Sequence, residues 1–191
     1  MSSELDQLPE RIWITEKCHM NAERRNRFLE IYFHLLLAFY SVTAIGNGII
    51  GSANKSEVDG SVLLYVSIIT LCISLLIFGF KFGETAAQHR TCYLMLQKIR
   101  ISYKGHYLNE KYIDAISDLP NHKQIDFLRL AIDDPFSLQQ KLKQPNGNCY
   151  QFSPLELADY VIRRVATWVF LILLVMPAVL VTIWNFRNFT Q

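Results

Sequence analysis

His89 and Cys92 stand three residues apart, the spacing at which a helix sets an imidazole and a thiol on one face, and both side chains are zinc ligands. A structural zinc takes four ligands, and Cys18, Cys72, Cys92 and Cys149 form no Cys-x-x-Cys pair, so ordinary packing is the simpler reading and no metal or other cofactor is expected. Catalysis is not expected either. The chain has no phosphate-binding loop, no Gly-x-Ser-x-Gly elbow and no cluster of His, Cys and carboxylates at ligand spacing. Gly46-Asn47-Gly48 lies inside an apolar run and suits close packing better than a phosphate cradle. Asp133-Asp134 before Pro135 is accounted for by helix capping and the helix dipole.

What remains is polar side chains placed inside apolar sequence. Tyr40, Thr43 and Asn47 recur at spacings of three and four, as do Ser67, Thr70 and Ser74, so each set makes one polar stripe on a helix. His34 adds a further polar group to the first set. In lipid such groups turn toward a protein neighbour or a water-filled path, because hydrocarbon offers them no partner. Interhelical hydrogen bonding accounts for the serines and threonines as well as a pore does; His34 and Asn47 favour the pore. No acidic or basic residue is buried in these runs to mark an ion relay, which argues against a secondary transporter.

Three apolar runs hold these residues. The stretches between Glu30 and Lys55, between Asp59 and Lys81, and between Arg164 and Arg187 contain no charged side chain. Each has about twenty residues or more, enough at 1.5 Å per residue to cross a hydrocarbon core of roughly 30 Å. The expected fold is therefore an all-α membrane protein. It has a transmembrane hairpin over residues 31–80 and a third span over residues 165–186, with Trp168 and Trp184 near that span's ends and Pro177 as a candidate kink within it. Residues 1–30 carry five Lys or Arg and residues 81–164 carry twelve, against Lys55 alone in the first outer loop and Arg187 alone in the tail. The positive-inside rule then sets the N-terminus and residues 81–164 in the cytoplasm and the tail 187–191 outside. No cleavable signal peptide is visible in the charged first thirty residues, and the cysteines on the cytoplasmic side or within a span are not expected to form disulfides.

Two soluble portions remain. Residues 1–30 read as an amphipathic segment, with Arg24, Arg25 and Arg27 as anchors beside anionic lipid. Residues 81–164 read as a helical subdomain that begins as a continuation of the second span. Phe82, Ala86, His89, Tyr93, Leu96 and Ile99 give that helix one apolar side, and Gly79 and Gly83 at the membrane exit permit close packing or a hinge. Asn121 with Gln124 resembles a capping box, Asp134-Pro135 marks the next helix start, and QPNGN at 144–148 is a turn. Ser153, Pro154 and Glu156 then supply a hydroxyl cap, a proline at the first helical position and a glutamate three residues after the cap, and nothing breaks that helix before the third span. The net charge of +2 is too small for a protein that coats nucleic acid. Three spans from one protomer do not enclose a channel, so a pore requires a symmetric homo-oligomer.

The ERRNRF run from Glu23 to Phe28, the short outer loop, and KFGETAAQHRTCYLMLQKI from Lys81 to Ile99 resemble the SLATT family of bacterial anti-phage defence, whose members are two-transmembrane effectors associated with nucleotide-producing enzymes. The likeness covers residues 20–105 best. It implies a homo-oligomeric pore, taken as a tetramer, in the bacterial inner membrane. Its opening would depolarise or permeabilise an infected cell under control of a cyclic or linear oligonucleotide from a partner nucleotidyltransferase. For such a ligand Arg90, Lys98, Arg100 and Lys104 are the phosphate-binding candidates and Tyr103 and Tyr107 the stacking ones, with Lys123, Arg129, Lys141 and Lys143 as a second group. Positive-inside topology accounts for the same cations without a ligand. The alternative function is a non-channel membrane adaptor that recruits a cytoplasmic protein.

Overall fold

A computed structural model describes residues 8–54, 60–103, 106–117, 120–121, 123–134 and 153–189, and these form six α-helices with no strand among them. The first, α1 (Leu8–Asn54), runs 47 residues. Pro9 sits in its first turn, where a missing N–H costs nothing, and neither Pro nor Gly interrupts the chain again until Gly46. The last helix, α6 (Pro154–Phe189), starts at the signature read from sequence. The Ser153 Oγ accepts the Leu155 N–H at 3.4 Å, and Glu156 reaches back to accept the Ser153 N–H at 3.1 Å. It continues past Pro177, whose ring nitrogen has no hydrogen to give the carbonyl four residues earlier. Three helices are long and apolar enough to cross a membrane, in α1, in α2 with its continuation, and in α6.

The second span does not continue unbroken into the charged sequence. Helix α2 (Gly60–Phe80) ends at Lys81, which has a φ of 45°, and α3 (Phe82–Ser102) begins at the next residue. The turn falls between Gly79 and Gly83 on a residue with a Cβ, so neither glycine is the point where the backbone bends. A Cβ built on Gly79 meets nothing within 4 Å, which removes close packing inside the protomer as its reason. A left-handed lysine carries about 1–2 kcal/mol of steric cost that glycine does not. Lys81→Gly is therefore expected to raise the thermal midpoint of the solubilised protein, and Gly79→Ala to leave it unchanged or higher; a fall with Lys81→Gly would show that the lysine side chain outweighs its strain.

The chain divides into two compact units. One comprises Met1–Arg27 with Gly83–Ile162, the other Phe28–Phe82 with Arg163–Gln191, so α1 and α6 each contribute to both. In the apolar unit Phe33, Leu36 and Tyr40 of α1 follow the helical repeat and pack with Val66 and Ile73 of α2 and Ala178 of α6. Phe33 stacks on Phe82 with ring centroids 5.5 Å apart, and the Tyr32 hydroxyl donates to the Leu171 carbonyl. The charged unit is built on the first half of α1, against which α3, α4 (His106–Ser117) and α5 (Gln124–Asp133) pack. Helix α5 begins at Gln124 with Lys123 as its cap, and the cap's N–H is accepted by Asp126 at 3.2 Å. The helix start thus lies two residues beyond Asn121, and only the reaching-back half of a capping box is present, from Asp126 to the Lys123 N–H, since a lysine side chain has no acceptor. The expected start after Asp134 and the turn at 144–148 lie outside the described residues.

Candidate functional site

The first half of α1 carries two sets of side chains on two faces. Ile12, Glu16 and His19, at spacings of four and three, meet α3; Cys18, Asn21 and Arg25 meet α5. On the α3 side Ile12 packs with Leu96 and Ile99, and Glu16 takes Arg100 in an ion pair at 3.2 Å. One turn farther, the Nδ1 atoms of His19 and His89 lie 2.9 Å apart in a buried contact. A single hydrogen occupies that contact, so one Nδ1 carries it and donates while the other accepts. On the α5 side Arg25 Nη1 reaches both carboxylate oxygens of Asp126, at 2.9 and 3.0 Å, and Asn21 donates to the Asp126 backbone carbonyl at 3.1 Å. Thr15 meets the Tyr112 hydroxyl of α4 at 3.1 Å.

These contacts join helix to helix. Burial, with Asp126 nearby, pushes the Cys18 thiol up to about 12, and burial also raises that of Cys92. A thiol kept protonated is a poor nucleophile and a poor metal ligand. His89 meets His19, and no group of three or more His, Cys, Asp or Glu among the described residues is arranged to hold a metal ion. The unit instead makes the position of α1 depend on α3 and α5 through buried polar contacts, each of which is costly to leave half-made.

The polar stripes of the spans separate into inner and outer members. Tyr40, Thr43 and Asn47 are buried inside the protomer, where the Tyr40 hydroxyl donates to the Leu174 carbonyl of α6 at 2.7 Å and the Thr43 hydroxyl to Phe39 of its own helix. Ser67, Thr70 and Ser74 likewise bond the carbonyls of Leu63, Val66 and Thr70 one turn back. His34 and Ser67 are exposed in the protomer, and Thr70 and Ser74 half-buried. Among the cations, Arg90 and Lys98 are exposed on α3, whereas Arg100 is half-buried and engaged by Glu16. Tyr103 and Tyr107 are exposed, and Lys104 lies outside the described residues with Lys141 and Lys143. Lys123 is exposed, and Arg129 pairs with Asp133 one turn along α5. Arg25, read as a lipid anchor, is committed to Asp126 instead. Its partner, like those of Glu16 and His19, sits 70 to 101 positions away in the chain, and no local signal announces such pairs.

Comparison with known proteins finds no match among curated proteins and none among solved structures. Residues 1–184 match the model of the SMODS and SLOG-associating 2TM effector domain family 5. That match takes in all three apolar helices and the whole of the charged unit. The chain therefore belongs to the SLATT effectors, in their family 5.

Proposed function

We propose that the chain is the membrane effector of a nucleotide-controlled anti-phage system. Its copies assemble in the bacterial inner membrane, with the charged unit in the cytoplasm, into an ion-conducting path that a nucleotide from a partner nucleotidyltransferase opens or holds shut. The carrying observation is that α1 and α6 are each unbroken and each belong to both units, so a change of packing in the charged unit acts on helices that also form spans. The family description, which names an effector associated with SMODS and SLOG partners, supports the nucleotide link. Because the hydroxyls of the inner stripes are used within the protomer, the path lies between copies. Arg90 and Lys98, exposed and about 12 Å apart along α3 at 1.5 Å per residue, are the cations best placed for a phosphate chain, with Tyr103 and Tyr107 for its bases.

The test is membrane potential, followed with a voltage-sensitive dye in bacteria expressing the chain alone and together with the nucleotidyltransferase. Depolarisation that differs between the two conditions, and that becomes independent of the enzyme in an Arg90→Glu, Lys98→Glu variant, is the expected result. A steady potential in both conditions, with the protein demonstrated in the membrane, would favour the adaptor. Arg100 is unsuited to this test, since a glutamate there faces Glu16 and disturbs the fold.

A further inference from the structure

His19 and His89 are both buried where α1 meets α3, with their Nδ1 atoms 2.9 Å apart. The contact extends the row formed by Ile12 on Leu96 and Ile99 and by Glu16 with Arg100. Of these it lies nearest the spans. From His19 α1 continues without a break into the first span, and His89 is about two turns from the α2–α3 junction at Lys81. Two imidazoles offer four ring nitrogens. The neutral pair carries two ring protons, and its single Nδ1 hydrogen fits between the rings. A third proton, on the Nε2 of the donating ring, makes an imidazolium that still donates to a neutral partner. A fourth has only the accepting Nδ1 left, where it sets two N–H groups and two positive charges against each other at 2.9 Å. The joined rings therefore hold at most three protons, whereas rings parted into water take up four in acid.

The charged and titratable neighbours do not lift this limit. On α1, Glu16 and Glu23 stand one turn to either side of His19 and hold Arg100 and Arg27, and Lys17 lies over the Trp13 ring. On α3, Arg90 is exposed and Cys92, one turn after His89, is buried. Helix α5 brings Asp126, with Arg25, to the adjoining face of α1, where Cys18 is buried beside Leu130, and α4 brings Tyr112 to Thr15. A carboxylate beside either ring favours the third proton but makes no room for the fourth. We infer that the His19–His89 pair is a proton-sensitive latch between α1 and α3, opened by acid on the side of the membrane that bathes the charged unit. Because the parted rings bind more protons than the joined ones, the latch holds above the range where imidazole ordinarily titrates, near about pH 6.5, and is lost as pH falls through it. The latch belongs to the charged unit alone, so it and the conducting path between copies can each fail without the other.

The test is alkylation of Cys92 in the full chain in nanodiscs, followed by mass spectrometry of its peptide. Cys92 is 2% exposed and lies between His89 and Leu96, which both meet α1. Its rate at each pH is divided by that of the denatured chain at the same pH, which removes the thiol's own titration. From about pH 6.5 to about pH 5.5, protection is expected to fall roughly threefold if the joined rings already hold three protons, and roughly thirtyfold if they hold two. Asparagine keeps a donor and an acceptor near the Nδ1 position without an ionisable ring, and its oxygen accepts from an imidazolium. His19→Asn and His89→Asn are therefore each expected to abolish the fall, although His34, His106 and His122 still titrate in both. Wild-type protection that stays level over this range, or a fall that persists in either variant, overturns the latch. A second readout needs no variant. Nitrogen-15 NMR of the histidine-labelled wild type should show one bare and one protonated Nδ1 for the pair at about pH 8, and two protonated ones at about pH 5.5. A bare Nδ1 of this pair that survives in acid overturns the latch as well.

Discussion

Replacing Arg25 by alanine is expected to destabilise the charged unit by about 3–5 kcal/mol, the range for removing one partner of a buried ion pair. The magnitude comes from what is lost. Asp126 is 2% exposed, and without the guanidinium its carboxylate keeps the Lys123 N–H and gives up the contacts that Arg25 Nη1 makes to both of its oxygens. Replacing both residues, as Arg25→Met with Asp126→Leu, removes the buried carboxylate together with its cation and is expected to cost far less, since apolar substitutes for a buried pair are often neutral. The local readout is Cys18, buried beside Phe127, Leu130 and Ala131 of α5. Its thiol is held protonated, at about 12, by burial and by Asp126, so reagents reach it only when α5 lifts away. At 1.4 kcal/mol per tenfold, Arg25→Ala should speed alkylation of Cys18 by roughly a hundredfold or more. A change of less than a few-fold would mean that the ion pair does not hold α5 on α1.

The parts of this fold written in local sequence were legible, and the parts written in contacts between distant residues were not. Three spans follow from run length alone, and the start of α6 follows from Ser153, Pro154 and Glu156, whose caps are completed within three residues. Gly79 and Gly83 at the membrane exit permit close packing or a hinge, and composition does not show that the left-handed residue between the two helices is Lys81. The polar stripes were read toward a pore because spacing shows that Tyr40, Thr43 and Asn47 share a face without showing what that face meets. It meets the interior of the protomer, with Tyr40 bonded to α6. Similarly, a serine bonded to the carbonyl one turn back has the same sequence pattern as one bonded to water. The helix-to-helix polar core built on His19, Arg25 and Glu16 left no local trace, since each residue reads as a charged or aromatic member of an amphipathic segment.

The same truncation should have different consequences in the two units, and the difference tests whether the charged unit is water-exposed while the other is embedded in lipid. Leu96 of α3 is fully buried at the centre of the core that Ile12 and Leu108 share. Leu96→Ala is expected to cost about 2–5 kcal/mol, through lost transfer energy and through the cavity left behind. That is a large fraction of what a domain of this size has to lose. Ile73 of α2 is as well buried, at 2% exposure. In the membrane, however, lipid chains are as apolar as the protein interior, so Ile73→Ala forfeits packing but little transfer energy and should cost roughly half as much. Denaturant unfolding followed by circular dichroism, with Cys18 accessibility reporting on the charged unit, measures the first. Proteolytic susceptibility of the spans in nanodiscs measures the second. Equal costs at the two sites would mean that both cores exclude water in the same way, and the division into a water-exposed unit and a lipid-embedded one would fall with that result.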